Sequence, residues 1–146
     1  MTDIYPLLIA VLLGTAIGLE RKINDHSVGI HTHALVALGA ALFILLGIKI
    51  SAPGETGRVA AQVVMGVGFL GGAVIMRQGN HVRGVNTAVT VWCSSAIGGI
   101  AGSGQFALAA AGTTLVVAVN FLLHILEHRM GLFGRGQEDP PKNERK

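Results

Sequence analysis

The residues of this chain that could do chemistry sit where long apolar runs end. Glu20, Arg21, Arg77, Arg83, Asn86 and Thr87 form the most informative set, a candidate functional rim. An ionisable group at the edge of an apolar phase is costly unless paired, and such pairs are often functional. Glu20 facing Arg77 or Arg83 would be one. The plainer reading makes these residues anchors whose charged ends snorkel to water. Gln62 and Asn120 interrupt apolar runs and are candidate polar groups within them.

Other chemistry is thinly represented. His124 and His128 are four apart with Glu127 beside the second, and Asn120 lies one turn earlier. Zinc would accept that stripe, but interfacial hydrogen bonding explains it with less, so no metal is expected. Gly66-Val67-Gly68-Phe69-Leu70-Gly71 spells G-x-G-x-x-G. A dinucleotide site needs a strand before that string and an open helix after it. Here it lies inside an apolar run, so no cofactor is expected, and the string marks a thin or locally unwound stretch. Cys93, the single cysteine, lies in another apolar run, where a thiolate would be costly. No Ser/His/Asp arrangement or carboxylate cluster suggests an enzyme.

The elements that must position these residues are the apolar runs themselves. Five stand out, at 4–19, 33–50, 59–76, 85–101 and 106–126. Each approaches the length of about 17–25 residues that a membrane helix needs. In lipid every backbone polar group must be satisfied within the segment, which favours helices. The expected fold is therefore all-α: an integral membrane bundle of five transmembrane helices filling 1–130, with a disordered cytoplasmic tail at 131–146. Asp3 precedes the first run and Arg21 and Lys22 follow it, the reverse of a cleaved signal peptide. With the N-terminus outside, nine of the eleven Lys and Arg fall on the cytoplasmic side and only Lys49 and Arg58 outside. The positive-inside rule then puts the N-terminus out and the C-terminus in.

Composition agrees with a membrane. Charged residues make up 13% of the chain and hydrophobic ones 51%, against about 25% charged in ordinary soluble domains. The net charge of +3 is gathered between apolar runs, not along one face, and aromatics are only 5%, so no nucleic-acid partner is expected. Membrane lipids are the certain neighbours. Small residues recur every four positions: Gly14 and Gly18 in the first run, Gly68 and Gly72 in the third, Gly98 and Gly102 in the fourth. Such faces let helix backbones approach closely, within one chain or between copies. A homodimer or higher homo-oligomer is expected.

The stretches 18–21, 32–36, 60–64, 66–72 and 82–88, with Trp92-Cys93, together resemble the MgtC/SapB family in order and spacing over residues 10–125. The resemblance implies a multi-pass protein of the bacterial inner membrane. It also implies links to magnesium adaptation and virulence, and inhibition of the membrane ATP synthase has been proposed for some members. Two departures stand out. The family often has Arg where this chain has His31, and many members carry a soluble C-terminal domain that this chain is expected to lack. Two functions follow as expectations. One is a non-enzymatic regulator that docks its helices against another membrane complex, such as the ATP synthase. The other is a transporter or channel for a cation or small solute, using Gln62, Asn120 and a glycine-rich third helix.

Overall fold

In the computed structural model, residues 3–23, 29–50, 52, 54–79 and 81–130 are described. They form helices α1 (Ile4–Ile23), α2 (Ile30–Ile50), α3 (Thr56–Val74), α4 (Val85–Gly102) and α5 (Phe106–Met130), with a hairpin of β1 (Met76–Gln78) and β2 (His81–Arg83) between α3 and α4. The expected tail at 131–146 lies outside the described residues.

Four of the helices, α1, α2, α3 and α5, are long and apolar enough to cross a membrane. α1, at 20 residues, spans about 30 Å at 1.5 Å per residue, matching a typical hydrocarbon core. α4 falls outside that set. It carries Asn86, Thr87, Thr90, Ser94 and Ser95, and it is also the helix that packs against all four others. Thr87, Thr90, Ser94 and Ser95 are buried against protein partners, so this helix does not need the apolar coat of its neighbours. The outer surface of the bundle is the reverse of a soluble protein's: Leu12, Leu42, Phe43, Phe69, Leu115 and Leu122 are all exposed. An apolar surface of that extent calls for an apolar surrounding.

The contacts alternate up and down. α1 and α2 are antiparallel: Gly14 packs on His33 and Ala37, and Gly18 on Ile30. At the far end of the pair Lys49 Nζ meets Asp3 Oδ2 at 2.8 Å. α2 and α4 run parallel in register, with His33 at Ser94, Ala37 at Gly98 and Ala41 at Gly102. That is one contact per helical turn, three contacts spanning about two turns. A Cβ at Gly102 would come within 2.7 Å of the Ala41 carbonyl oxygen, and one at Gly98 would run into the backbone of Ala37. Glycine is required at both. The deepest cluster is built from small and medium residues, Ala10, Ile17, Ala41, Ile97, Ala101 and Ala109. Close packing of this kind gives dispersion contact that lipid chains cannot match.

Several expectations change at the helix ends. α1 continues to Ile23, so Glu20 and Arg21 are helical and not part of a polar separator. α2 starts at Ile30, which brings His31 and His33 into it. α3 stops at Val74, and Arg77 and Arg83 lie on the hairpin, an element absent from an all-α expectation. The short strands pair Met76 with Arg83, Arg77 with Val82 and Gln78 with His81. Gly84 closes the hairpin at φ +88°, packed so tightly on the Val74 carbonyl that a side chain has no room. The Gly66–Gly72 stretch, expected thin or unwound, is regular helix throughout.

Candidate functional site

The expected rim residues do not form one cluster; they divide between α1, α4 and the hairpin. Glu20 and Arg21 are consecutive, so on a helix of 3.6 residues per turn their side chains leave about 100° apart. Arg21 turns to α4, where an Nη donates to Thr87 Oγ1 at 3.4 Å. Glu20 turns to α5, where its carboxylate accepts from Asn120 Nδ2 at 3.1 Å. Arg21 is 1% exposed and Glu20 9%. The expected partners of Glu20 lie elsewhere: Arg77 and Arg83 are exposed, and Arg77 Nε donates to the Gly79 carbonyl at 3.1 Å.

α4 supplies the other half of the seam. His33 of α2, with no exposed surface, has Nδ1 at 2.9 Å from Ser94 Oγ. The Ser94 hydroxyl donates to the Thr90 carbonyl at 3.0 Å, and the Thr90 hydroxyl donates to the Asn86 carbonyl at 2.9 Å. Hydroxyls that bond back one turn can sit in a helix without water. Thr87, Thr90 and Ser94 therefore form a buried polar stripe reached by Arg21 from α1 and by His33 from α2. The Asn86 side chain is exposed; its contribution here is the carbonyl.

Asn120 is half-buried on Glu20, whereas Gln62 is exposed and borders an apolar cavity of about 630 Å³ between α2 and α3. Leu35, Val36, Phe43, Val63 and Leu70 line much of that cavity. The side chains of Glu127 and His128 lie outside the described ones. Among the described residues, no group of three His, Cys, Asp or Glu side chains is gathered to hold a metal. Cys93 is partly buried.

The glycines separate into two kinds. Gly14, Gly18, Gly98 and Gly102 are used up by α1–α2 and α2–α4 contacts. Gly68 and Gly72 of α3 have open space where a Cβ would be, and Phe69 between them is 81% exposed.

His33 is the residue that spacing alone missed. A signal was present: His33, Ala37 and Ala41 recur every four residues, as do Ser94, Gly98 and Gly102. Two stripes of equal period, each headed by a polar residue, bring those residues into contact when they are laid parallel and in register.

Apolar helices outside and a hydrogen-bonded polar seam inside define a helical membrane protein. The model of the MgtC family matches residues 7–129, and the chain belongs to that family. Protein MgtC of Salmonella typhimurium (strain LT2) is 50% identical over 127 residues, covering 87% of this chain and 54% of that protein. Protein MgtC of Brucella abortus (strain 2308) is 46% identical over 117 residues, covering 80% of this chain and 49% of that protein. This chain thus spans about half the length of the curated relatives it matches. No solved structure matches it.

Proposed function

We propose that this chain is a non-enzymatic regulator in the bacterial inner membrane, docking against another membrane complex. It crosses the membrane five times, with its N-terminus outside and its C-terminus in the cytoplasm. The observation that carries the reading is the contrast between the two kinds of glycine. Gly14 and Gly18 of α1 and Gly98 and Gly102 of α4 are covered, whereas Gly68 and Gly72 face outward beside Phe69. An open small-residue face admits the backbone of a partner helix. The same face would suit a second copy of the chain, so a homodimer formed through it competes with docking on another complex. The ATP synthase proposed for family relatives is the candidate complex, with magnesium adaptation or virulence as the setting.

The five-span orientation is supported by the alternation of the helices and by the Lys and Arg bias. The seam favours a regulator over a carrier, because Arg21, His33 and Glu20 are engaged between helices. One observation favours a transporter or channel instead: Gln62 at the α2–α3 cavity. Its apolar lining is a poor place for a hydrated divalent cation, which prefers oxygen ligands and keeps several waters.

Liposomes holding the purified chain alone separate the two. The regulator gives no Mg²⁺, K⁺ or H⁺ flux above empty vesicles. Saturable flux that Gln62→Ala abolishes would establish the transporter.

A further inference from the structure

Two buried polar atoms at the junction of α1, α2 and α4 lack a hydrogen-bond partner among the described residues: Arg21 Nε and His33 Nε2. Both side chains are almost wholly enclosed. An unmet polar group in such a place is costly, and more so when it is charged.

Their chemistry is complementary. Arg21 Nε carries a hydrogen and can only donate. The character of His33 Nε2 follows from its other nitrogen. Ser94 gives its single hydroxyl hydrogen to the Thr90 carbonyl, so it meets His33 Nδ1 as an acceptor. Both bonds form together only when the imidazole hydrogen is on Nδ1. Nε2 is then a bare lone pair and can only accept. A donor on α1 and an acceptor on α2 therefore stand unmatched at one junction.

Thr90 adds a third group. It lies on α4 between Thr87, which Arg21 contacts, and Ser94, which His33 contacts, about one turn from each. It is buried, and its hydrogen is committed to the Asn86 carbonyl. Its oxygen keeps acceptor capacity.

We propose that Arg21, His33 and Thr90 hold one internal water molecule, a binding site that joins three helices. The water accepts from Arg21 Nε–H and donates to His33 Nε2 and Thr90 Oγ1. Three bonds is the usual complement of a buried water. An anion would meet the same Arg21 donor but would be repelled by the Nε2 lone pair, so a ligand that both donates and accepts fits best. The site does not depend on the regulatory reading above, since the bundle needs it closed whatever docks outside.

Solid-state NMR of the full chain in lipid bilayers, with ¹⁵N-labelled His and Arg, tests the site. His33 is assigned through its contact with Ser94. The expected spectrum places the His33 hydrogen on Nδ1, with cross-peaks from Arg21 Nε–H and His33 Nε2 to one slowly exchanging water. In Ser94→Ala the Nδ1 acceptor is gone, so the Nδ1–H resonance should shift while the water cross-peak to Arg21 Nε–H persists. A wild-type hydrogen on Nε2 would overturn the proposal. So would a direct Arg21–His33 cross-peak without water. Should Ser94→Ala fail to fold, the wild-type spectrum decides alone.

Discussion

Gly98 of α4 and Ala37 of α2 touch backbone to backbone, one turn along from the bond between Ser94 and His33. The contact sits in the middle of the parallel α2–α4 pair, so anything added there pushes the two helices apart. Gly98→Ala should destabilise the bundle by about 1–3 kcal/mol, the usual cost of overpacking. Gly98→Leu should cost more. Gly68→Leu, facing open space, should leave stability nearly unchanged. Unfolding in mixed detergent micelles reads all three, and equal losses at both glycines would refute the division into covered and open faces.

The Asn120–Glu20 bond ties α5 to α1. Hydrogen bonds between membrane helices contribute about 0.6 kcal/mol on average and up to about 1.7 kcal/mol. A double-mutant cycle with Asn120→Leu and Glu20→Leu, neither of which keeps a hydrogen-bonding group, should give a coupling of that size. Perfect additivity would mean that the two side chains do not meet in the bilayer.

Asp3 and Lys49 form an exposed pair at the opposite end. The hydrogen bond from Lys49 and its charge hold the Asp3 carboxyl below the usual carboxylate range. A depressed carboxylate contributes stability above the pKa of the unfolded state, about 3.9 for Asp, and loses it as pH falls through the folded value. The pair is open to solvent, so the contribution is small and screened by salt. Asp3→Asn should be slightly less stable than wild type at neutral pH and low salt, and the gap should close in acid. A gap that widens in acid would give the interaction the wrong sign.

How much of this was legible in the sequence depends on what each residue reports. The five apolar runs and the tight glycines of α1 and α4 were readable, because span length and four-residue spacing are local properties. Gly68 and Gly72 have the same spacing as Gly98 and Gly102, yet one pair is open and the other covered. Spacing defines a face but not its neighbour. Glu20 and Arg21 were readable as rim residues. Their partners were not, since adjacent helical residues diverge by about 100° and these two reach different helices. The hairpin was hidden because its strands have only three residues each. So short a polar stretch reads as a loop.

Orientation can be read with single cysteines in a chain carrying Cys93→Ser. Cysteines at Glu55 and Ser103 should react with an impermeant maleimide in intact cells. One at His81 on the hairpin should react only after lysis. Labelling of His81→Cys from outside would invert or break the five-span arrangement.

The central claim is that the open face of α3 docks on another membrane complex. Co-reconstitution of the chain with ATP synthase in proteoliposomes, following ATP-driven proton pumping, tests it most directly. The account predicts that the wild-type chain changes the pumping rate, that Gly68→Leu with Gly72→Leu removes the change while the bundle stays folded, and that Gln62→Ala leaves the change intact. Pumping that is the same with and without the wild-type chain, or altered equally by the double leucine variant, would contradict it.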